Sequence, residues 1–228
     1  MTAILSDLVS EIKAPFRRRK VTSAPLKGVM AKINERKAVF IHVPKTGGKS
    51  ISAELYGTDL HEGFGHASAL FYRDLFGAYS YRKLFSFAFV RNPWDRAYSA
   101  YRFARAGGFG FPRAIALQKA IGDRDFNAFC KEWLAVEDFS DYVIFRPQHE
   151  FICDQTGTII VSRVCRFERF DEEYEFLRER LGLGAAPERI NKSQPGGDYR
   201  AVCDEESSSI ISRLYARDIA LLGYSFNG

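Results

Sequence analysis

The sequence has few of the features that mark membrane proteins, disulfide-rich secreted proteins or zinc-binding folds. No apolar run in the 228 residues approaches the roughly twenty residues of a membrane-spanning helix, and no signal-peptide pattern opens the chain. The four cysteines are scattered without a C-x-x-C spacing, so we expect neither a disulfide framework nor a zinc site. Together these absences predict a cytoplasmic protein with reduced thiols.

The charge balance is mildly positive. With 33 Lys and Arg against 28 Asp and Glu, the net charge is +5 and the pI is about 9.0. Such a charge favours anionic ligands, but it is too small to indicate nucleic acid binding. The basic residues include a cluster, Arg17–Lys20, within a predicted N-terminal extension of residues 1–37. An amphipathic stretch at Ile4–Ile12 precedes the cluster, so peripheral contact with anionic lipid is one expectation. A solvated extension that packs loosely is the more common arrangement.

Residues 38–228 read as a single α/β domain, because strand and helix patterns alternate along them. Predicted strands are Val39–Val43, Leu84–Val90 and Thr158–Val164. Predicted helices are Ser50–Tyr56, Ser68–Phe76, Trp94–Arg105, Phe126–Val136, Asp171–Leu181 and Glu205–Leu222. This order predicts a central, mostly parallel sheet flanked by helices, with ligands at the carboxyl ends of the strands.

The first predicted strand is followed by a sequence typical of an anion site, PKTGGKS. Two glycines allow a tight turn and a helix begins at once, so backbone N–H groups and two lysines converge there. The candidate ligands are Lys45, Thr46, Gly47, Gly48, Lys49 and Ser50. A nucleoside-triphosphate loop needs Gly-x-x-x-x-Gly-Lys-Ser/Thr, but Val43 stands at the first glycine position. A kinase or NTPase is therefore the weaker interpretation.

A second candidate phosphate grip follows the next strand, in VRNPWDRAYSAY. Arg91 leaves the end of the strand and Ser99 lies inside the helix that follows. A guanidinium can give a phosphate a two-pronged hydrogen bond, and a hydroxyl can hold it from the other side. An arginine at this strand end would also repel the magnesium that a triphosphate site requires. Two separate grips suit a ligand with two separate phosphates.

PKTGGKS followed by VRNPWDRAYSAY resembles the carbohydrate-type sulfotransferases, which use 3′-phosphoadenosine 5′-phosphosulfate (PAPS). The likeness continues through CRFERFDEEYEFLRERLGL, INKS and LYARDIALLGYSF. The resemblance implies a P-loop-like three-layer fold and a PAPS site without metal. In it, the first loop would bind the 5′-phosphosulfate, and Arg91 with Ser99 would bind the 3′-phosphate. Lys49 departs from the family, where threonine is usual.

The resemblance also implies catalytic roles and an acceptor. Lys45 matches the family's loop lysine, which would stabilise the departing phosphate oxygen. His66 is the implied base, His61 is the reserve candidate, and Glu62 is an alternative because other branches use a glutamate. The implied acceptor is a hydroxyl of a carbohydrate or glycolipid, with Phe64, Phe109, Phe111 and Trp133 as candidate sugar-stacking rings. A non-catalytic phosphate-binding protein is a further alternative.

Overall fold

The computed structural model describes residues 24–57, 65–108, 110–136, 142–184 and 197–228. Within these ranges a three-stranded parallel sheet has the order β1 (Ala38–Ile41), β2 (Phe85–Val90) and β3 (Arg163–Arg166). Ala38 is opposite Phe85, and Val90 is opposite Arg166. The fold is therefore α/β with a parallel sheet, as the sequence predicted.

Helices cover the sheet. The same ranges contain twelve α-helices: α1 Ala24–Arg36, α2 Gly48–Tyr56, α3 Ala69–Phe76, α4 Ala78–Tyr81, α5 Pro93–Arg105, α6 Pro112–Ile121, α7 Phe126–Phe129, α8 His149–Ile152, α9 Phe170–Leu181, α10 Tyr199–Val202, α11 Glu205–Leu214 and α12 Ala216–Leu222. All four residues of β1 and five of the six in β2 are buried. Since successive side chains of a strand point to opposite faces, both faces of the sheet are covered.

Helix α1 lies in the part of the chain that the sequence assigned to the N-terminal extension. Its Val29 and Ile33 are buried in the hydrophobic core, and the helix packs on β1 and α2. The domain boundary at residue 37 stays a prediction, as does the lipid-binding role of residues 4–20, which lie outside the described ranges.

The third strand begins later than predicted. The β-branched run Thr158–Val164 enters the parallel sheet only at Arg163. Its first half turns back on the preceding segment, where Ile159 forms an antiparallel bridge with Cys153. The first half of the run therefore pairs with the segment just before the Asp154–Gly157 turn. Closing this short loop costs less conformational entropy than closing the longer loop needed to pair with β2.

Two predicted helices differ in detail. The predicted helix Glu205–Leu222 is divided at Tyr215, which has φ −110° and ψ 23°. The buried Tyr215 hydroxyl donates to the carbonyl oxygen of Phe145, so a tertiary contact accompanies the break. The predicted helix Phe126–Val136 continues beyond α7 as a π-helical segment, Cys130–Leu134.

The glycine-rich segment after α5 forms a turn that ends the helix. Gly107 and Gly108 have φ of +83° and +57°, and their N–H groups donate to the carbonyl oxygens of Ala104 and Phe103. Positive φ at these positions favours glycine. The turn leads into α6, a helix that the sequence analysis did not predict.

All four cysteines are free thiols, as predicted. Among the helices of the described residues, none combines the length and apolar character needed to cross a bilayer. The same part of the chain contains no group of three or more His, Cys, Asp or Glu side chains placed to hold a metal ion.

Candidate functional site

The two predicted phosphate grips lie side by side at the carboxyl ends of β1 and β2. We call residues 43–50 the first loop and residues 91–95 the second loop. One hydrogen bond joins them: Arg91 Nη1 donates to the carbonyl oxygen of Lys45 at 3.2 Å. Parallel pairing of β1 with β2 explains the proximity, because it carries both chain segments to the same edge of the sheet.

The first loop is held in an uncommon backbone conformation. Lys45 has φ +69°, a left-handed value that is rare outside glycine, and Gly47 has φ +77° at the N-cap of α2. The buried Thr46 hydroxyl donates to the Val43 carbonyl oxygen at 2.8 Å, so this side chain closes the turn. Because the first N–H groups of an α-helix make no hydrogen bond within the helix, the start of α2 is a suitable place for an anion to bind.

Gly48 is required by the close approach of His42. A Cβ atom at position 48 would lie 2.1 Å from His42 Cδ2, which is far inside van der Waals contact. His42 is 5% exposed, and its imidazole stacks on Phe40 with ring centroids 5.6 Å apart. The imidazole therefore packs against the backbone of the first loop at Gly48.

Positive charge is concentrated around Lys45. Its Nζ lies 4.1 Å from the centroid of the Phe103 ring. Burial is the main cause that lowers the pKa of Lys45 from 10.5 to about 8. Three nearby cations lower it further: Arg91, Lys49 and Arg102. A cluster of like charges around one loop is the arrangement expected of a site that receives an anion.

The other first-loop candidates lie at the start of α2. Ser50 is buried, whereas Lys49 is half-buried and close enough to Lys45 to lower its pKa. Gly47 is exposed, and a side chain there would approach the Phe167 ring at 3.1 Å. The six candidates thus occupy one continuous strand–turn–helix segment.

Arg91 in the second loop is held on several sides. Its Nε and Nη2 donate to the two carboxylate oxygens of Asp95 at 2.7 and 2.8 Å, and its guanidinium carbon lies 4.6 Å from the centroid of the Phe167 ring. The fork predicted for a phosphate is therefore engaged by a carboxylate in this structure. Ser99, the second predicted ligand, lies on α5 with its side chain largely buried.

The backbone of Arg91 is also fixed. The Gln148 side chain accepts from the Arg91 N–H at 2.9 Å and donates to the Arg91 carbonyl oxygen at 2.7 Å. The fully buried Asp218 accepts in turn from the backbone N–H groups of Gln148 and His149. His149 has its Nδ1 2.6 Å from Asp218 Oδ1. Asp95 was detectable in the sequence by its i, i+4 spacing from Arg91, whereas Gln148 and Asp218 gave no such signal.

His66 lies on the first-loop side of the site. Its Nδ1 is 2.9 Å from the carbonyl oxygen of His42, and the two imidazole centroids are 4.4 Å apart. Because a carbonyl oxygen only accepts, Nδ1 of His66 carries the proton and Nε2 has the lone pair of the neutral ring. His61 and Glu62, the other candidate bases, lie outside the described residues.

The predicted sugar-stacking residues have different environments. Trp133 is 6% exposed and packs among Phe129, Tyr142 and Phe145, so it belongs to the core and the stacking prediction for it was wrong. Phe111 is 54% exposed, whereas Phe64 and Phe109 lie outside the described ranges.

A cleft of about 630 Å³ runs along one side of α5, and its lining includes Tyr98, Tyr101, Arg102 and Phe126. The volume is typical of a small-ligand site. Arg102 connects the cleft with the first loop, because it lines the cleft and also lowers the pKa of Lys45.

Comparison with known proteins gave one match. The sequence model described as "Sulfotransferase family" matches residues 30–225, which include both loops and nearly the whole sheet-and-helix domain. Searches of curated proteins and of solved structures returned no match.

Proposed function

The chain belongs to the sulfotransferase family, and from this premise we propose that it transfers a sulfuryl group from PAPS to an acceptor hydroxyl of a carbohydrate or glycolipid. The observation that carries the proposal is the position of Lys45 in the first loop, where burial and then the nearby cations Arg91, Lys49 and Arg102 lower its pKa to about 8. Such a cluster is costly without an anion and becomes favourable when one binds.

The two loops would hold the two ends of the donor. Backbone N–H groups of residues 46–50 and the Ser50 hydroxyl would bind the 5′-phosphate at the start of α2. Arg91 and Ser99 would bind the 3′-phosphate. The hydrogen bond from Arg91 to the Lys45 carbonyl oxygen supports this arrangement, since it places the two grips next to each other.

Lys45 would stabilise the leaving group. PAPS supplies an activated sulfuryl group, and negative charge grows on the departing phosphate oxygen during transfer. At neutral pH Lys45 is mostly protonated, because its pKa is about 8. An ammonium in this partly buried position stabilises the developing charge more strongly than it would in water.

His66 would accept the proton of the acceptor hydroxyl through Nε2. The His42 carbonyl oxygen keeps the proton of the neutral ring on Nδ1, which leaves Nε2 able to act as a base. His61 and Glu62 remain alternative bases. The cleft that shares Arg102 with the surroundings of Lys45 is where we propose that the acceptor binds.

The proposal is tested by offering PAPS labelled in its sulfate to a panel of oligosaccharides, glycolipids and small alcohols. We expect label in at least one acceptor, together with release of adenosine 3′,5′-bisphosphate. The Lys45→Ala variant serves as the matched inactive control. Binding of the bisphosphate without transfer to any acceptor would favour the non-catalytic alternative, and transfer of phosphate from ATP would favour a kinase.

A further inference from the structure

We propose that Asp95 is a positioning residue that sets which edge of the Arg91 guanidinium meets the ligand, and so makes the site selective for nucleotides with a 3′-phosphate. The inference rests on the proposed function, because it concerns the same donor site. Asp95 itself would touch only Arg91 and not the ligand.

The geometry of Arg91 supports this role. Of the five N–H donors of an arginine side chain, Nε and one on Nη2 bind Asp95, and one on Nη1 binds the Lys45 carbonyl oxygen. Among the described residues, one N–H on each terminal nitrogen remains for a ligand. The Phe167 ring lies 4.6 Å from the guanidinium carbon, which restricts the orientation of the plane.

Asp95 is well placed to hold the Arg91 guanidinium. It lies in the first turn of α5, where the helix dipole favours a carboxylate. Both of its oxygens accept from Arg91 at 2.7 and 2.8 Å, and the side chain of Arg91 is only 14% exposed. A two-pronged contact of this kind fixes the guanidinium plane as well as its position.

The fixed orientation of the Arg91 guanidinium should increase affinity for the 3′-phosphate in particular. An unrestrained arginine would lose side-chain entropy each time it bound a phosphate, whereas Arg91 is already ordered. The opposite possibility is competition, in which Asp95 occupies the fork that the phosphate needs. The positioning and competition hypotheses predict opposite effects of removing the Asp95 carboxylate. If Asp95 positions Arg91, affinity for the 3′-phosphate decreases. If Asp95 competes with the phosphate, that affinity increases.

The test measures the affinity of adenosine 3′,5′-bisphosphate and of adenosine 5′-monophosphate by calorimetry, and takes their ratio as the contribution of the 3′-phosphate. In the parent protein we expect a ratio of at least about tenfold, and in Asp95→Asn a ratio about tenfold smaller. Glu150→Gln is the matched control, because it removes the carboxylate of another i, i+4 pair, with Arg146. We expect its ratio to equal that of the parent.

A double-mutant cycle separates positioning from a general effect on the fold. Lysine cannot make the two-pronged contact, so Asp95→Asn should lower the ratio no further in an Arg91→Lys background. If Asp95→Asn does not fold, Asp95→Glu is used instead. Its longer side chain moves the carboxylate away from the Arg91 guanidinium, so the ratio of bisphosphate to monophosphate affinity should again fall.

An unchanged or increased ratio in a folded Asp95 variant overturns the inference and leaves the proposed function standing. A parent protein that binds both nucleotides equally overturns the 3′-phosphate grip itself, and the inference with it.

Discussion

The first and second loops both present cations at strand ends, but the surroundings of these cations differ. Lys45 in the first loop has a left-handed backbone, faces an aromatic ring and is surrounded by other cations. Arg91 in the second loop is paired with Asp95, and its backbone is bonded on both sides by Gln148. One loop concentrates positive charge, and the other has its charge balanced before any ligand arrives.

This difference suggests a division of labour. A concentrated, partly desolvated charge is useful where charge develops during a reaction, whereas a balanced and rigid arginine is useful for recognition. We therefore expect changes on the first-loop side, which includes His66, to reduce turnover. Changes in the second loop should reduce affinity for the 3′-phosphate.

The largest expected effect comes from the base. If His66 accepts the acceptor proton, His66→Ala should lower turnover by about 10²–10⁴ while bisphosphate affinity is preserved. Turnover in the parent should also fall at acidic pH, in the range where histidine changes charge, and this dependence should vanish in the variant.

The other candidate bases provide the controls for that experiment. His61→Ala should have a milder effect and retain the acidic dependence. If His61→Ala abolishes turnover and His66→Ala does not, the two roles are exchanged. If both histidine variants are active and Glu62→Gln is inactive, the base is the Glu62 carboxylate.

The next largest effect concerns the support of the first loop. Gly48→Ala places a Cβ 2.1 Å from His42 Cδ2, so the imidazole or the loop must move. We expect a loss of about 1–3 kcal/mol in the free energy of unfolding, and weaker binding of adenosine nucleotides with or without a 3′-phosphate. Denaturant melts and calorimetry measure the two losses.

Gly28→Ala is the matched control for Gly48→Ala. Gly28 lies in α1, and a Cβ there would meet nothing within 4 Å. Stability should be unchanged or slightly raised, because alanine favours the helix. Equal behaviour of the two variants would show that the contact between His42 and Gly48 does not support the loop.

A more selective effect is expected in the second loop. Arg91→Ala removes a charged hydrogen bond of about 1.5–3 kcal/mol, so affinity for adenosine 3′,5′-bisphosphate should fall at least about tenfold. Affinity for adenosine 5′-phosphosulfate, which lacks the 3′-phosphate, should change little. Equal losses for the two ligands would assign Arg91 a different role.

The smallest effect is a pH dependence of binding. Below pH 8 Lys45 is protonated and attracts the ligand, and above pH 8 it loses its charge. Bisphosphate affinity should therefore decrease between about pH 7 and 9, by less than tenfold, and Lys45→Ala should remove most of that decrease. A flat profile in the parent would indicate that Lys45 keeps its proton or lies away from the phosphate.

Much of the fold was predictable because local pattern and tertiary pairing agree. The apolar run before Arg91 became β2, and the glycine turn after the first strand became the start of α2. The predicted start of β3 was wrong because Ile159 pairs antiparallel with Cys153, which is nearer in sequence than β2. Helix α1 was missed because its periodicity is weak and its two core residues pack only in the tertiary structure.

Within the candidate site, the sequence indicated the two loops but not their supports. The strand–turn–helix patterns placed Lys45 and Arg91 after two successive predicted strands, and the parallel sheet brings these strand ends together. The contacts of Gly48 with His42 and of Gln148 with Arg91 join residues through space, and no local pattern records such contacts. The i, i+4 spacing of Asp95 was visible, but spacing alone could not show whether Arg91 pairs with it.

The central claim is that the paired loops bind the two phosphates of PAPS, and a thermal shift measurement tests it most directly. Adenosine 3′,5′-bisphosphate at about 100 times its dissociation constant should stabilise the protein by about 2.7 kcal/mol, which corresponds to roughly 5–10 °C in Tm for a domain of this size. The shift should occur without added metal, and ATP with magnesium should give none at the same concentration. Stabilisation by ATP with magnesium and none by the bisphosphate would contradict the account.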